Sequence, residues 1–88
     1  MVRQPLTAAQ IAAGQRLGAA LRVARAGRSL VEVSQAAGIS PETLRKIEAG
    51  RLPAPAFGTV VGLSRALDVP LSELADVWLA DLSVRQAS

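Results

Sequence analysis

Apolar side chains recur along this chain at intervals of three and four residues, which is the spacing of one face of an α-helix. The first such face consists of Leu17, Leu21 and Ala24. The segment Thr7-Ala-Ala-Gln10 precedes it and fits a capping box, in which the Thr hydroxyl and the Gln amide satisfy backbone amides at a helix start. The pattern predicts a first helix that runs to about Ala26, where Gly27 ends it.

Two short helices are predicted next, on either side of a glycine. Ser29 and Glu32 fit a second capping box, and the helix after Ser29 extends to Ala37. Gly38 follows and suits the left-handed turn that commonly ends a helix. Ser40 is then the expected N-cap of a third helix, with Pro41 at its first position and its end at about Ala49.

A stiff loop with two prolines, residues 51–55, leads into the last two predicted helices. The fourth runs over about residues 56–67, and its apolar face consists of Phe57, Val60, Val61, Ser64 and Leu67. The fifth runs from about residue 71 to 81 or 82, and its apolar face consists of Leu71, Leu74, Trp78 and Leu82. Five helices with short connections predict an all-α bundle in one domain, residues 1–88, with frayed tails at 1–6 and 83–88.

The amino-acid composition limits the catalytic and metal-binding chemistry that is open to this chain. The chain has 88 residues, 50% of them hydrophobic, and no cysteine or histidine. Disulfides, thiolate metal sites and catalysis by Cys or His are therefore excluded. The single lysine, Lys46, lies in the third predicted helix, and the seven carboxylates show no pairing suited to acid–base work. We expect no enzyme activity, no catalytic residue, no cofactor and no metal site.

The charge is unevenly distributed. Residues 1–51 carry eight basic and three acidic side chains, whereas residues 52–88 carry two basic and four acidic ones. A basic half suggests a face that binds a polyanion, although a solvated surface gives the same count. No apolar run approaches the ~20 residues of a membrane span, so a soluble cytoplasmic protein without a membrane partner is expected.

The segment from about residue 30 to 49 is the most informative one. Its two short helices meet at the turn around Gly38, so they must cross steeply, and Ser34 is the small residue at the crossing. The apolar positions that hold the pair together are Val33, Ala37, Ile39, Leu44 and Ile47. Together these features predict a helix-turn-helix.

The block SLVEVSQAAGISPETLRKIEAG, followed by RLPAP and LSRALDVPLSEL, resembles the phage repressor/Cro (XRE-like) helix-turn-helix family over roughly residues 17–75. The resemblance implies a five-helix lambda-repressor-like DNA-binding domain. It further implies a sequence-specific transcriptional regulator that binds double-stranded DNA as a homodimer on a two-fold operator.

The resemblance also assigns roles to residues. It places Ser29, at the start of the second helix, beside a DNA phosphate. Residues 41–49 become the recognition helix in the major groove. The DNA-contacting candidates there are Ser40, Pro41, Glu42, Thr43, Arg45 and Lys46. Arg45 and Lys46 suit guanine or phosphate, and Glu42 suits cytosine N4. Arg51 is expected to contact a phosphate, and Arg28 either does the same or is merely exposed.

Three further expectations concern contacts within and between protein chains. Glu48 is expected to pair with Arg25 or Arg22, or else to be solvated. The homodimer is expected to form through the fourth and fifth helices, with Trp78 and Leu82 as candidates, unless Trp78 is core. The alternative function is a protein-interaction module on the same scaffold, such as an antitoxin partner or accessory regulator, because the C-terminal part is acidic and carries the only tryptophan.

Overall fold

Five α-helices form the part of the chain that the computed structural model describes, residues 5–80. They are α1 (Ala8–Arg25), α2 (Leu30–Ala37), α3 (Pro41–Glu48), α4 (Phe57–Leu67) and α5 (Leu71–Trp78). No strand occurs within that range, so the predicted all-α class is confirmed. The predicted tail residues 1–4 and 83–88, the predicted end of the fifth helix and Leu82 lie outside the described residues.

Helix caps explain where the first two helices begin. The Gln10 backbone N–H donates to Thr7 Oγ1 at 3.1 Å, and the Thr7 N–H donates to Gln10 Oε1 at 2.8 Å, so the first capping box is confirmed. The second is only half formed. The Glu32 N–H donates to Ser29 Oγ at 3.0 Å, but the Glu32 carboxylate turns outward and accepts from Arg28 Nε at 3.3 Å.

The end of α1 differs from the prediction. The helix ends at Arg25, and Ala26 rather than Gly27 is the residue that ends it, with a positive φ of 52°. The chain turns here because the Arg28 N–H donates to the Arg25 carbonyl, which closes the connection to α2 tightly. Positive φ is costly for a residue with a Cβ, so this turn depends on contacts around it.

One core joins all five helices. Its buried members are Leu17, Leu21, Val33, Leu44, Ile47, Leu63, Leu67 and Leu74. Leu63 is fully buried although the apolar pattern did not single it out. Phe57 and Leu71 were expected inside but are 75% and 39% exposed. Both occupy the first position of their helices, and both line a groove on the surface of the bundle. Trp78 is half-buried and packs against the core.

Candidate nucleic-acid interface

The turn between α2 and α3 has the geometry that a helix-turn-helix needs. Gly38 adopts φ 77° at the C-terminus of α2, a conformation that glycine takes without strain. The Ile39 N–H then donates to the Ser34 carbonyl at 3.0 Å. Ser34 is fully buried, and its hydroxyl donates to the Val31 carbonyl at 3.0 Å. A larger residue at position 34 would push the two helices apart.

Helix α3 has one buried and one exposed face. Ser40 caps its N-terminus by accepting the Thr43 N–H at 3.1 Å, and Pro41 occupies the first position. Leu44 and Ile47 are 0% and 1% exposed, so they anchor the helix to the core. The outer face of α3 consists of the exposed residues Glu42, Arg45 and Lys46, and the exposed C-cap residue Ala49 follows them. Pro41 and Thr43 are half-buried at its flanks.

An ion pair ties α3 to α1. Arg25 Nε and Nη2 donate to the two carboxylate oxygens of Glu48 at 2.8 and 2.9 Å, and Arg25 Nη1 donates to the Arg28 carbonyl at 2.9 Å. Hydrogen bonding to Glu48 raises the pKa of Arg25, against the opposing effect of burial. The Glu48 side chain is only 8% exposed, so it is not a solvated residue. Of the two arginines expected for Glu48, the structure pairs Arg25.

The second attachment of α3 to α1 is a close backbone contact. A Cβ built on Gly18, in the middle of α1, would overlap the Ile47 carbonyl oxygen and lie 3.0 Å from that of Glu48. Only a glycine therefore lets α1 approach the C-terminal end of α3 this closely. Ile47 is one of the residues that anchor α3 in the core, and Glu48 is the residue that pairs with Arg25.

The other predicted contact residues lie around α3. Ser29 is exposed at the N-cap of α2. Its oxygen accepts the Glu32 N–H, and its hydroxyl hydrogen remains able to donate to an anion. Arg51 is exposed directly after α3, where its N–H donates to the Lys46 carbonyl at 2.9 Å.

Arg28 has partners within the protein. Its Nη1 donates to the Ala66 carbonyl at 2.8 Å, near the end of α4, and its Nε bonds Glu32. These bonds engage Nη1 and Nε of a side chain that is 41% exposed, and the phosphate contact by Arg28 stays a prediction.

Arg22 was predicted only as a candidate partner of Glu48, and the structure gives it a different place. It is exposed, has no ion-pair partner among residues 5–80, and lines a cleft of about 240 Å³ together with Arg45 and Ala49. The sequence signal was present: Arg22 and Arg25 are three residues apart on one helix and so are neighbours on its surface, which puts the arginine that does not pair with Glu48 beside that pair.

A second concave surface lies on α1, α4 and α5. This apolar groove has a volume of about 390 Å³ and is lined by Leu17, Ala54, Pro55, Phe57, Val60, Leu71, Leu74, Ala75 and Trp78. It contains the only two aromatic residues of the chain. Arg16 fixes the end of α5 beside it by donating to the carbonyls of Val77 and Trp78 at 3.1 and 2.8 Å.

Within residues 5–80, no group of three or more acidic side chains is placed to hold a metal ion. Among the described helices, none combines the length and the apolar character required to cross a membrane.

Comparison with known proteins agrees with this geometry. A helix-turn-helix family model of the XRE type matches residues 19–74, from the second half of α1 into α5. The crystal structure of the clp gene regulator ClgR from C. glutamicum superimposes with a TM-score of 0.66 at 27% sequence identity. The alignment covers 89% of this chain and 95% of that one. No curated protein sequence matches the chain.

Proposed function

The chain belongs to the XRE-type helix-turn-helix family of DNA-binding transcriptional regulators, and from this premise we propose that it binds a specific operator as a homodimer. In this proposal, α3 enters the major groove of each half-site, and α2 lies across the DNA backbone.

The observation that carries the proposal is the division of α3 into two faces. Leu44 and Ile47 are completely buried, so the helix cannot rotate without opening the core. The opposite side presents Arg45 and Lys46 to solvent. Arginine and lysine donate to guanine O6 and N7 or to phosphate, and a rigid helix can place such donors in the groove without ordering a loop.

Phosphate contacts would set the position of the domain on the duplex. Ser29 and the free amides at the start of α2 suit an anion because the positive end of a helix dipole points there. Arg51, just past α3, and Arg22, in the cleft beside Arg45, supply cations on either side of the recognition helix. These contacts raise affinity for any duplex and carry no sequence information.

A gel-shift titration at two salt concentrations, after selection of bound genomic fragments, tests this function. About four neutralised phosphates per subunit give a slope of log K against log salt near −4 per subunit. Enrichment of one recurring sequence, bound more tightly than random duplex, supports the proposal. Equal binding of all fragments would remove the claim of sequence specificity.

The proposed dimer forms through α4 and α5 at the apolar groove. Phe57 is 75% exposed and Trp78 half-buried, and aromatic residues commonly anchor the centres of interfaces. On the operator, the two α3 helices would lie ~34 Å apart, one turn of DNA. Leu82 stays a candidate for the same interface.

Sedimentation at tens of micromolar tests the dimer. Phe57→Ser should shift the equilibrium toward monomer, whereas Val23→Ser, which alters a similarly exposed apolar residue on α1, should not. A wild-type chain that remains monomeric even on DNA would refute the dimer.

The second candidate function is a protein-interaction module, such as an antitoxin partner or accessory regulator. It is favoured by the same apolar groove and by exposed acidic residues on α5, Glu73 and Asp76. A stoichiometric partner that is lost with Phe57→Ser, in a chain that selects no operator, would establish this function instead.

A further inference from the structure

The outer face of α3 offers few chemical groups for reading bases. Its long polar side chains are Glu42, Arg45 and Lys46, and α3 contains neither asparagine nor glutamine. Asparagine and glutamine are the side chains that bond adenine through both N6 and N7, whereas arginine and lysine select guanine. The available groups therefore favour G·C over A·T base pairs.

Glu42 and Arg45 are linked to each other. Arg45 Nη1 lies 3.3 Å from Glu42 Oε2, and the two side chains are 57% and 58% exposed. This bond draws the guanidinium toward the N-terminal end of α3, the end that enters the groove in this type of protein. Because the pair is exposed, it contributes little to the stability of the fold. What it changes is the direction of the Arg45 guanidinium.

A carboxylate on a DNA-binding face weakens binding to any duplex, because the DNA phosphates repel it whatever the base sequence. The repulsion is offset only where a base offers a donor. Cytosine offers N4 as a donor, and the cytosine base itself carries no acceptor on its major-groove edge. Adenine places N7, an acceptor, next to its amino group, and guanine and thymine present acceptors to the carboxylate. Glu42 thus penalises every base except cytosine, which is how a repulsive group creates specificity.

We propose that Glu42 is a specificity-determining residue that positions Arg45 toward guanine and itself accepts from cytosine N4, so that each operator half-site has G·C pairs where these residues meet the groove. This inference rests on the proposed binding of a duplex by α3. It goes beyond that function by naming the bases that α3 reads. It also assigns to Glu42 most of the discrimination against bases other than cytosine.

The test is selection of duplexes from a randomised pool by wild-type protein, Glu42→Gln and Glu32→Gln, followed by titration of the selected site and of random duplex. Glu32 is the matched control: it is a carboxylate in a 3.3 Å pair with Arg28, its side chain is also 58% exposed, and it lies outside α3. Both variants remove one negative charge, so both should bind random duplex at least as tightly as wild type.

Only Glu42→Gln should change the bases selected. Discrimination against replacing the contacted cytosine should fall by about 10-fold to 100-fold, and adenine should become acceptable there because glutamine bonds its N6 and N7. Glu32→Gln should retain the wild-type consensus.

Three results would overturn the inference. A wild-type consensus composed of A·T pairs would contradict the base assignment while leaving the proposed function standing. An unchanged consensus for Glu42→Gln would show that the carboxylate does not read bases. A wild-type protein that selects no sequence at all would remove the proposed function, and this inference with it.

Discussion

Replacing Gly18 by alanine sets two physical effects against each other. In the interior of a helix, alanine is more favourable than glycine by about 1 kcal/mol, so the sequence alone predicts that the substitution stabilises α1. The structure predicts the reverse. The new methyl group would overlap the Ile47 carbonyl oxygen, which belongs to backbone and cannot rotate away.

The size of the effect follows from that contact. Inserting a methyl group into a packed interior costs typically 1–3 kcal/mol, and a backbone obstacle places Gly18→Ala near the upper end. After the gain in helix propensity, the net loss is about 2 kcal/mol. For a domain of this size, that loss lowers the melting temperature by about 10 °C. DNA affinity should fall as well, because α1 and α3 must separate.

Gly58→Ala provides the control. Gly58 also lies within a helix, α4, but a Cβ there would meet nothing within 4 Å. Thermal and urea unfolding followed by circular dichroism should show Gly58→Ala at or above the wild-type stability and Gly18→Ala below it. Equal stabilisation by both substitutions would refute the close approach of α1 to α3.

Other predictions concern the core, the interface and pH. Leu44→Ala should destabilise the domain by about 3 kcal/mol in urea, since the side chain is fully buried; a loss under 1 kcal/mol would contradict that burial. Lys46→Ala should weaken binding to the operator about tenfold with no change in melting temperature. Arg65→Ala on α4 removes the same charge and should have little effect on binding. Equal losses of affinity in the two variants would show that only the net charge matters. The raised pKa of Arg25 means that its stabilising pair with Glu48 is complete below the ordinary arginine pKa and lost only as pH rises through the higher folded value. Because the chain has no histidine or cysteine, its melting temperature should stay nearly constant between about pH 6 and pH 9, and a clear transition there would be inconsistent with this account.

Local signals predicted the features that depend on neighbouring residues. Serine or threonine caps located the starts of α1, α2 and α3, and the spacing of Leu44 and Ile47 identified the inward face of α3. The same spacing placed Phe57 on an inward face, but whether a face is covered depends on how far the neighbouring helices extend. The burial of Leu63 was not predicted because α4 carries several apolar residues, and their spacing alone does not show which of them enter the core.

Features that depend on how helices cross could not be read from the sequence. Arg22 and Arg25 lie one helical turn apart, and the choice between them as partner of Glu48 follows from the packing of α1 against α3 and from the tight turn at Ala26. Glycine lowers helix propensity, so position 18 has no evident role in the sequence, yet the backbone of α3 packs directly against it. In both cases, the deciding contact joins residues more than twenty positions apart.

Amide chemical shifts of the ¹⁵N-labelled protein, recorded with and without the selected duplex, test most directly whether α3 is the surface that meets DNA. The largest changes are expected over residues 42–46, at the start of α2 around Ser29, and at Arg51. Changes concentrated on α4 and α5, with residues 42–46 unaffected, would contradict the account.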